Sequence, residues 1–498
     1  MADTANPNPA NPAPSNHPNH FDSIIIGAGQ AGPSLASRLT ASGERIAFIE
    51  RKLFGGTCVN TGCIPTKTLV ASAYAAQMAR RASEYGVQIA GPGETGLVMV
   101  DMKAVKARKE SVLLKSRTGV EKSLREDKNC TVFNGHARFH SSHEIEVSGP
   151  AGETVISAEK IFINTGARAR VPKLDGIGEI PYLTNSTLLD LDILPEHLVV
   201  IGGSYIGLEF AQIFRRFGSQ VTVVEMGPRL VKHEDEDVSA AIQEILENEG
   251  IAVRLGAECI AFENTGEKTG KQSGAPNSIG VHVNCETGEP KLHASHVLLA
   301  VGRVPNTDDL SLDKAGIETD ENGYIRVDDQ LRTSVPHIWA MGDCNGKGAF
   351  THTSYNDFEI VAANLLDNDP RRVTDRIPVH GLYIDPPLAQ VGMTETEVRD
   401  EMRKTGRSAL IGTRPMTKVG RAVEKGESQG FMKILVDAET KKILGASILG
   451  VGGDEAVHCI LDVMYADAPY TTIQRAVHIH PTVSELIPTM LGSLKPLT

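Results

Sequence analysis

Two cysteines five positions apart mark the part of the sequence that is best suited to redox chemistry. Cys58 and Cys63 lie in the stretch 55–67, which reads G-G-T-C-V-N-T-G-C-I-P-T-K. Pro65 fits the first turn of a helix, and the alanine-rich run 68–78 extends that helix. Cys63 is therefore expected at a helix N-terminus, where unpaired amide groups and the helix dipole favour a thiolate. The pattern predicts a reactive cysteine pair.

The same two cysteines have simpler interpretations. They can be buried structural thiols, or half of a zinc site that needs a second pair of ligands. No further Cys or His pair with ligand spacing lies near this stretch, so the sequence predicts no metal site. The chain has seven cysteines, a small and odd number that is unlike a secreted disulfide framework and favours a reducing compartment.

Length, composition and charge limit the classes of partner. A chain of 498 residues accommodates roughly three domains of about 150 residues each. The formal net charge of -12 argues against a nucleic-acid or anionic-membrane partner, which leaves small molecules. No apolar run reaches membrane-spanning length and the N-terminus lacks the regions of a signal peptide, so a cytoplasmic location is expected. Residues 1–20 are polar and proline-rich, which predicts a disordered tail.

A glycine motif between two predicted strands indicates a dinucleotide site. The apolar run 23–26 is followed by G-x-G-x-x-G with its glycines at Gly27, Gly29 and Gly32. A predicted helix and a second strand follow, and that strand ends on Glu50, about twenty residues beyond the glycines. The glycines permit close approach of a pyrophosphate, the helix N-terminus binds its charge, and the carboxylate accepts a hydrogen bond from a ribose hydroxyl.

The same order of elements occurs a second time. Gly202 and Gly207 follow an apolar strand, Ser204 replaces the middle glycine, and the next strand ends on Glu225. A second dinucleotide is therefore predicted. A carboxylate at this place accepts from a free 2′-hydroxyl and repels a 2′-phosphate, which favours NADH over NADPH. Arg229 is close enough in sequence to weaken that preference.

Together these motifs resemble those of the flavin-dependent pyridine nucleotide-disulfide oxidoreductases, a family that includes dihydrolipoamide dehydrogenase, glutathione reductase and mercuric reductase. The stretch 55–67 matches the redox motif of that family almost letter for letter, and it follows a first dinucleotide motif as it does there. The resemblance covers nearly the whole chain after the tail. It implies an α/β fold with two Rossmann-like dinucleotide-binding domains, for FAD and NAD, and an α+β C-terminal dimerisation domain.

The resemblance also implies domain limits and further cofactor contacts. The expected segments are a tail over 1–20, the first part of an FAD-binding domain over 21–170, an NAD(P)-binding domain over 171–300, the second part of the FAD-binding domain over 301–375, and a dimerisation domain over 376–498. Gly166, in I-N-T-G, and Gly302, in A-V-G-R, look like the two crossovers between the nucleotide domains. Asp343 ends T-S-V-P-H-I-W-A-M-G-D and is expected to bind the ribityl chain of the flavin.

One internal stretch is interpreted from its composition alone. Residues Glu263–Ser278 are rich in Gly, Lys, Thr, Asn and Ser and lie within the second nucleotide domain. Such a composition is typical of a solvated insertion. The sequence therefore predicts a surface loop without a catalytic task.

An acid and a base occur together near the C-terminus. The stretch beginning at His480 reads H-P-T-V-S-E and ends on Glu485, which resembles the family motif that enters the active site of the partner subunit. Imidazole moves protons near neutral pH when a carboxylate orients it, as thiol–disulfide exchange requires. His478, two positions before His480, is the weaker candidate for this base. The resemblance implies a homodimer with shared active sites.

The resemblance implies a path for electrons from NADH through FAD to the Cys58–Cys63 disulfide, with Cys58 as the attacking thiol. Lys67 and Glu209 resemble the ion pair beside the reactive flavin nitrogen, and Tyr205 resembles the ring that covers the nicotinamide pocket. A charge pair or a tyrosine on a helix also has ordinary packing roles.

The acceptor is the least determined part of the sequence interpretation. We expect a reductase of a small oxidised sulfur compound or oxidant. A dihydrolipoamide dehydrogenase of a multienzyme complex and a mercuric-reductase-like metal-ion reductase are alternatives, although the C-terminal cysteine pair of mercuric reductases is absent from L-G-S-L-K-P-L-T. A redox sensor without enzymatic activity would leave the His480–Glu485 motif without a task.

Overall fold

The computed structural model describes residues 18–89, 98–257, 260–268, 277–284 and 288–498, apart from the side chains of 267, 268 and 277. The strands are β1 (His20–Ile26), β2 (Ile46–Glu50), β3 (Cys130–Asn134), β4 (His136–Phe139), β5 (Glu144–Gly149), β6 (Gly152–Ile163), β7 (Ala167–Ala169), β8 (Tyr182–Leu183), β9 (His197–Ile201), β10 (Gln220–Val224), β11 (Ala252–Arg254), β12 (Ile260–Lys268), β13 (Asn277–Val283), β14 (Lys291–Ala294), β15 (His296–Leu299), β16 (Arg303–Pro305), β17 (Ile338–Ala340), β18 (Val379–Leu382), β19 (Leu388–Gly392), β20 (Ala409–Pro415), β21 (Phe431–Asp437), β22 (Ile443–Leu449) and β23 (Lys495–Pro496). The α-helices are α1 (Ala31–Ala41), α2 (Gly56–Asn60), α3 (Cys63–Arg80), α4 (Met102–Glu126), α5 (Asn185–Leu188), α6 (Tyr205–Phe217), α7 (Glu236–Asn248), α8 (Leu312–Ala315), α9 (Thr351–Ala362), α10 (Glu395–Thr405), α11 (Gly420–Glu424), α12 (Gly453–Ala456), α13 (His458–Tyr465), α14 (Thr471–Gln474) and α15 (Leu486–Leu491).

These elements belong to two compact units. The first unit comprises the chain up to Gly56 together with Thr118–Ala167 and Pro305–Val373. The second unit comprises Thr57–Arg117, Arg168–Val304 and Thr374–Thr498. The predicted tail falls mostly on residues 1–17, outside the described part of the chain, and β1 begins at His20, one residue before the predicted start of ordered structure.

The first unit is built on one mixed sheet. Strands β3, β2, β1 and β6 are parallel neighbours in that order, and β17 also pairs with β6 in parallel. Strands β5 and β4 continue the sheet in antiparallel pairing. Ile24 and Ile25 on β1 are both fully buried, as expected where helices cover both faces of a parallel sheet. This order places the first glycine motif and Glu50 at the carboxyl ends of neighbouring strands.

The second unit contains a parallel sheet of its own, with the strand order β11-β10-β9-β15-β8. Helix α6 follows β9 and packs against α3, the long helix of the cysteine motif. Leu69 of α3 and Phe210 of α6 belong to the same buried apolar cluster. The packing of these two helices brings polar side chains of the cysteine motif to the start of α6.

The C-terminal part of the second unit is a six-stranded antiparallel sheet in the order β18-β19-β22-β21-β20-β23. Met432, Ile434 and Ile448 are fully buried in a cluster that also contains residues of the C-terminal helices. A mixed sheet with a parallel core and a parallel sheet, each with its own strand–glycine–helix unit, together with a C-terminal antiparallel sheet confirm the predicted fold class.

The predicted surface loop at Glu263–Ser278 is wrong at both ends. Residues through Lys268 belong to β12, residues from Asn277 belong to β13, and these strands pair antiparallel. Strand pairing continues into both ends of this stretch from the apolar residues that flank it, since Phe262 on β12 and Ile279 on β13 belong to one buried cluster. Residues 269–276 lie outside the described residues. None of the helices in the described part of the chain combines the length and apolarity needed to cross a bilayer.

Candidate active site

Cys58 and Cys63 lie in two successive helices. Cys58 is in the short helix α2, whereas Cys63 is the first residue of α3, which has 18 residues. Gly62 precedes α3 and supplies no side-chain cap. The positive end of the helix dipole therefore lies at Cys63, and both cysteines are half-buried. This is the electrostatic setting that stabilises a thiolate.

The first residues of the cysteine motif rest on the first glycine loop. The Gly55 amide donates to the Ala28 carbonyl over 2.9 Å, and Gln30 Nε2 donates to the Gly55 carbonyl over 3.1 Å. A Cβ built on Gly56 would lie 2.7 Å from the Gly29 Cα, so the two backbones are in direct contact. The start of the motif is thereby fixed to the predicted first dinucleotide site.

A charged pair joins the cysteine helix to α6. Lys67 Nζ lies 2.8 Å from each carboxylate oxygen of Glu209. The Glu209 side chain is 6% exposed and that of Lys67 is 34% exposed, so the carboxylate is buried and the ammonium reaches solvent. Such a charge-assisted contact holds Lys67, one helical turn after Cys63, in one orientation.

Tyr383 is a further member of this cluster that the sequence did not indicate. Its amide donates to Glu209 Oε1 over 3.0 Å, and Lys67 Nζ lies 4.5 Å from the centre of its ring. Burial, and then the charges of Asp454, Glu209 and Cys63, raise the pKa of the Tyr383 hydroxyl. Tyr383 therefore keeps its hydroxyl proton near neutral pH, on a ring that contacts Lys67. No sequence motif marks Tyr383, because its place depends on how the chain directly after β18 packs beside α6.

The two glycine loops have the same geometry. Gly27 and Gly202 have φ values of +101° and +113°, and a Cβ on either would lie 2.4 Å from a carbonyl oxygen, of Asn164 or of Ala300. Only glycine fits this combination of positive φ and close approach. The sequence-predicted Gly29, Gly32 and Gly207 lie in the same loops or in the first turns of α1 and α6.

Glu50 braces the first glycine loop. Its Oε2 accepts from the Ala28 amide over 2.8 Å, and its Oε1 accepts from the Lys52 amide over 2.7 Å. The carboxylate is therefore fixed at the end of β2. Each oxygen retains a lone pair for a ribose hydroxyl.

Glu225 makes the equivalent contacts in the second loop. Its Oε2 accepts from the Gly203 amide and its Oε1 from the Gly227 amide, each over 2.7 Å. The neighbouring Arg229 donates through Nη2 to the Lys232 carbonyl over 2.9 Å. The acid at this strand end is thus held rigidly, and the arginine is bound to its own loop.

The remaining predicted cofactor residues lie in turns. Gly166 and Gly302 both have positive φ, and no described atom lies within 4 Å of a Cβ built on either. Asp343 lies in the turn Gly342–Asn345 that follows β17. The buried carboxylate of Asp357 fixes this turn by accepting from the Gly342 amide over 2.8 Å.

Tyr205, the first residue of α6, contacts two residues that the sequence did not indicate. Its hydroxyl donates to Glu234 Oε1 over 2.5 Å and lies 3.2 Å from His380 Nε2. His380 Nε2 is also 2.7 Å from Glu234 Oε1, and the two rings meet edge to face with their centres 5.6 Å apart. These partners are 29 and 175 positions from Tyr205, so no local pattern reveals them.

The C-terminal acid and base are in contact with each other. His480 Nδ1 lies 3.0 and 2.9 Å from the two carboxylate oxygens of Glu485. The His480 side chain is 80% exposed, and its polar contacts within the described chain go to Glu485 rather than to Cys58 or Cys63. The structure therefore does not bring the predicted base to the cysteine pair of the same chain.

Comparison with known proteins decides the family. Residues 21–357 match the family described as pyridine nucleotide-disulphide oxidoreductase, and residues 379–491 match its dimerisation domain. The chain belongs to this family. The resemblance inferred from the motifs is confirmed, and the protein is an FAD-dependent oxidoreductase.

Individual relatives of this pyridine nucleotide-disulphide oxidoreductase have different activities. The probable oxidoreductase RclA of Escherichia coli is 36% identical over 96% of this chain and 100% of its own. Dihydrolipoyl dehydrogenase of Chlamydia muridarum is 31% identical over 94% of this chain and 95% of its own. Mercuric reductase of Streptomyces lividans is 30% identical over 94% of this chain and 94% of its own. The structure titled as the Cu(II) complex of HOCl-induced flavoprotein disulfide reductase RclA from Escherichia coli has 34% identity and a TM-score of 0.83, covering 95% and 99% of the two chains.

Family membership implies FAD and a pyridine nucleotide, and this oxidoreductase has residues that fit both. Helices α1 and α6 begin after Gln30 and Ser204, neither of which caps the helix with its side chain. Their first-turn amides are therefore directed at the glycine loops, where a pyrophosphate accepts hydrogen bonds. The carboxylates of Glu50 and Glu225, each held by two backbone amides, are acceptors of the kind that a ribose hydroxyl requires.

Proposed function

We propose that the protein is an NADH-dependent reductase that passes electrons through bound FAD and the Cys58–Cys63 pair to a small oxidised sulfur compound or oxidant. The observation that carries this proposal is the position of Cys63 at the start of α3, one turn before a lysine paired with the buried Glu209. Bound FAD supplies the ring that takes a hydride from the nicotinamide and passes two electrons to the disulfide.

The two cysteines have separate tasks in this proposal. Two electrons open the disulfide, which leaves Cys58 as the attacking thiol and Cys63 as the thiolate at the helix N-terminus. With a disulfide acceptor, Cys58 forms a mixed disulfide and releases the first thiol. Cys63 then attacks Cys58, releases the second thiol and restores the original bond. Each leaving thiolate takes up one proton, so the site needs an acid–base group.

The residues around Cys63 position the reacting groups. Lys67 is proposed to lie beside the reactive nitrogen of the flavin, with Glu209 fixing its direction through both carboxylate oxygens. Tyr383 contacts both members of this pair, through its ring and its amide. Asp343 is proposed to bind the ribityl chain, and Gly166 and Gly302 leave room for the ligands beside them.

The acid–base group is proposed to come from a second subunit. His480 is oriented by Glu485 yet exposed to solvent, and Val477 and Ile479 beside it are 101% and 80% exposed. Apolar side chains this exposed are typical of a surface that a partner covers. The match of 379–491 to a dimerisation domain supports a homodimer with His480 of the partner subunit next to Cys58.

The preference for NADH rests on Glu225. Both of its oxygens are already bound to backbone amides, which fixes a negative charge where a 2′-phosphate of NADPH would lie. Arg229 is engaged with the Lys232 carbonyl. Its charge is therefore directed at its own loop, which supports discrimination against NADPH.

The predicted domain limits and the cytoplasmic location belong to the same proposal. The two family matches divide between 357 and 379, close to the predicted start of the dimerisation domain at 376. The small number of cysteines supports a reducing compartment.

Reduction of a metal ion is a second candidate, and one comparison favours it. The solved RclA structure with a TM-score of 0.83 is a Cu(II) complex. Dihydrolipoamide is the third candidate, supported by the dihydrolipoyl dehydrogenase relatives.

A panel of acceptors tests the proposal. Oxidation of NADH and NADPH is measured with glutathione disulfide, hypothiocyanous acid, lipoamide, mercuric ion and cupric ion. We expect the highest kcat/KM with NADH and a sulfur compound or oxidant. A higher value with lipoamide or with a metal ion would contradict the proposal and select one of the alternatives.

Variants of the cysteines test the electron path. Anaerobic addition of NADH is expected to produce long-wavelength absorbance that depends on the Cys63 thiolate. Cys63→Ser should abolish this absorbance, whereas Cys58→Ser should retain it and lose turnover. Retention of the absorbance in Cys63→Ser would show that the assignment of the two thiols is wrong.

A further inference from the structure

The hydrogen bond from the Tyr205 hydroxyl to Glu234 ends on a buried carboxylate, unlike the hydrogen bonds at the surface of the chain. Glu234 is 2% exposed, and its Oε2 is buried without a hydrogen-bond donor among the described residues. Burial of a carboxylate is unfavourable unless donors compensate it. The donors on Oε1, from Tyr205 and His380, are therefore the contacts that stabilise this charge, and each is stronger than a bond between neutral groups.

The loop that carries Glu234 is fixed from a second side. The adjacent Asp235 accepts from the Glu395 amide over 2.8 Å and from the Thr396 amide over 3.1 Å, both in the first turn of α10. Lys433 Nζ lies 2.9 Å from Asp235 Oδ2. Glu234 is thus held against the C-terminal sheet, and it is unable to follow the Tyr205 ring if that ring turns.

The hydroxyl of Tyr205 remains a donor in this setting. Burial, and then the charge and hydrogen bond of Glu234, raise the pKa of Tyr205 well above its usual range. The ring also packs against the apolar cluster that includes Leu208. One orientation of the tyrosine is therefore stabilised by polar and apolar contacts together.

We propose that Glu234 and His380 are positioning residues that hold the Tyr205 ring over the nicotinamide pocket while no nucleotide is bound. We name the contact of the Tyr205 hydroxyl with Glu234 and His380 the tyrosine latch. This inference rests on the proposed function and on the role that the family resemblance implies for Tyr205, which is to cover that pocket. Entry of the nicotinamide requires the ring to turn, and turning breaks the hydrogen bond to Glu234. The latch therefore weakens binding of the nicotinamide but not of the rest of the dinucleotide.

The latch connects two parts of the second unit. Tyr205 begins α6 of the nucleotide-binding sheet, whereas His380 lies on β18 within the segment that matches the dimerisation domain. Asp235 is bound to the same segment through Lys433. The C-terminal sheet thereby contributes to nucleotide affinity without a residue in the glycine loop.

Two ligands separate the nicotinamide from the rest of the dinucleotide. Tetrahydro-NAD is a reduced analogue that donates no hydride, and ADP-ribose lacks the nicotinamide ring. Their dissociation constants are measured by calorimetry on the FAD-loaded protein. We expect Tyr205→Phe, which removes one hydroxyl, and Glu234→Met to bind tetrahydro-NAD about tenfold more tightly than the wild type. Their affinity for ADP-ribose should equal that of the wild type.

Conservative and combined variants test whether Glu234 acts through Tyr205. Glu234→Gln keeps an oxygen that accepts from the tyrosine, so its affinity should be intermediate. The double variant Tyr205→Phe/Glu234→Met should bind no more tightly than either single variant, because both remove the same contact. In steady-state kinetics the KM for NADH should fall while kcat does not rise.

Two exposed neighbours supply matched controls. Glu236→Gln removes a carboxylate, and His233→Asn removes an imidazole, within two positions of Glu234. Both should bind tetrahydro-NAD as the wild type does. Unchanged or weaker binding in Tyr205→Phe, additive gains in the double variant, or equal changes for ADP-ribose would each overturn the latch. If the wild type binds neither ligand, the nucleotide site of the proposed function fails as well, which is a distinct result.

Discussion

Lys67 Nζ lies 2.8 Å from both carboxylate oxygens of Glu209, a residue 142 positions away. The carboxylate is buried and receives a further hydrogen bond from the Tyr383 amide. The pair therefore fixes the ammonium group of Lys67 on the cysteine helix, one turn after Cys63. Lys67 also compensates the buried charge of Glu209, so the lysine contributes to the stability of the fold.

Replacement of Lys67 by Met tests both consequences. We expect turnover to fall on the order of 10²-fold, because a fixed charge near the reacting groups is lost. We also expect a loss of about 1–3 kcal/mol in the free energy of unfolding, since a buried carboxylate loses a charged partner. Lys67→Met/Glu209→Gln should regain part of the stability but not the turnover.

The exposed Lys103 is the matched control for this prediction. Thermal unfolding and steady-state kinetics of Lys103→Met should resemble those of the wild type. Wild-type turnover in Lys67→Met would contradict the role of the pair.

Glu225 is expected to determine the choice of nucleotide. Glu225→Gln exchanges one acceptor oxygen for an amide group that is unable to accept from the Gly203 or Gly227 amide. The kcat/KM for NADH should fall about tenfold because the ribose 2′-hydroxyl loses its charged acceptor. The ratio of NADPH to NADH efficiency should rise because the variant side chain no longer repels a 2′-phosphate. The exposed Glu244→Gln, on α7, is the control. If the wild type used NADPH with the same kcat/KM as NADH, a group other than Glu225 would determine the choice of nucleotide.

Shared active sites predict that two inactive variants restore each other. Cys58→Ser and His480→Ala, co-expressed, should form heterodimers in which one of the two sites contains both wild-type groups. Loss of a general base typically costs on the order of 10²–10⁴-fold, so recovery toward half of the wild-type rate stands far above background. Activity is measured on purified heterodimers carrying two different tags. No recovery, or full activity in a verified monomer, would exclude the shared site.

The buried Lys433 predicts a pH-dependent contribution to stability. Burial alone would lower its pKa, but hydrogen bonds to Asp237 and Asp235 raise it. Burial alone would raise the pKa of Asp235, yet hydrogen bonds from the Glu395 amide and Lys433 lower it. Because the pKa of Asp235 is lowered by folding, this group stabilises the folded state above its unfolded pKa of about 3.9. Because the pKa of Lys433 is raised by folding, that group stabilises the folded state below its unfolded pKa of about 10.4. The contribution of the pair to the free energy of unfolding is therefore complete between these two pH values. It declines as the pH falls through the lowered pKa of Asp235 or rises through the raised pKa of Lys433.

Lys433→Met should destabilise the protein by about 3–5 kcal/mol at pH 7.5, because the buried carboxylate of Asp235 loses its charged partner. The difference in unfolding midpoint between Lys433→Met and the wild type should narrow at pH 4.5, because Asp235 takes up a proton more readily without its charged partner. The control is Lys442→Met, which breaks the exposed pair with Asp467 and should cost under about 1 kcal/mol at either pH. A gap that stays constant with pH would contradict the assignment.

Sequence patterns of short range predicted much of the fold and of the site. The two strand–glycine–helix units, the acids at Glu50 and Glu225, and the helix that starts at Cys63 lie where the motifs placed them. The contact of His480 with Glu485 spans five positions. Such features are readable because the backbone geometry of one βαβ unit or one turn determines which groups meet.

The polar composition of Glu263–Ser278 predicts a loop, but its two ends belong to β12 and β13. The apolar residues of these strands that meet in one core lie outside the stretch, at Phe262 and Ile279 among others. Glycine and lysine content describes exposure to solvent, whereas strand pairing depends on a partner strand.

The sequence by itself determined the family, the two nucleotide motifs and the cysteine pair, since each is encoded within a few tens of neighbouring residues. Only the tertiary structure decided that Tyr383 contacts Lys67 and Glu209, and that Glu234 and His380 bind the Tyr205 hydroxyl. These contacts join residues up to 175 positions apart. A tyrosine, a glutamate and a histidine have no partner-specific pattern in sequence, because the packing of α6, the loop after β10 and β18 alone determines which of them meet.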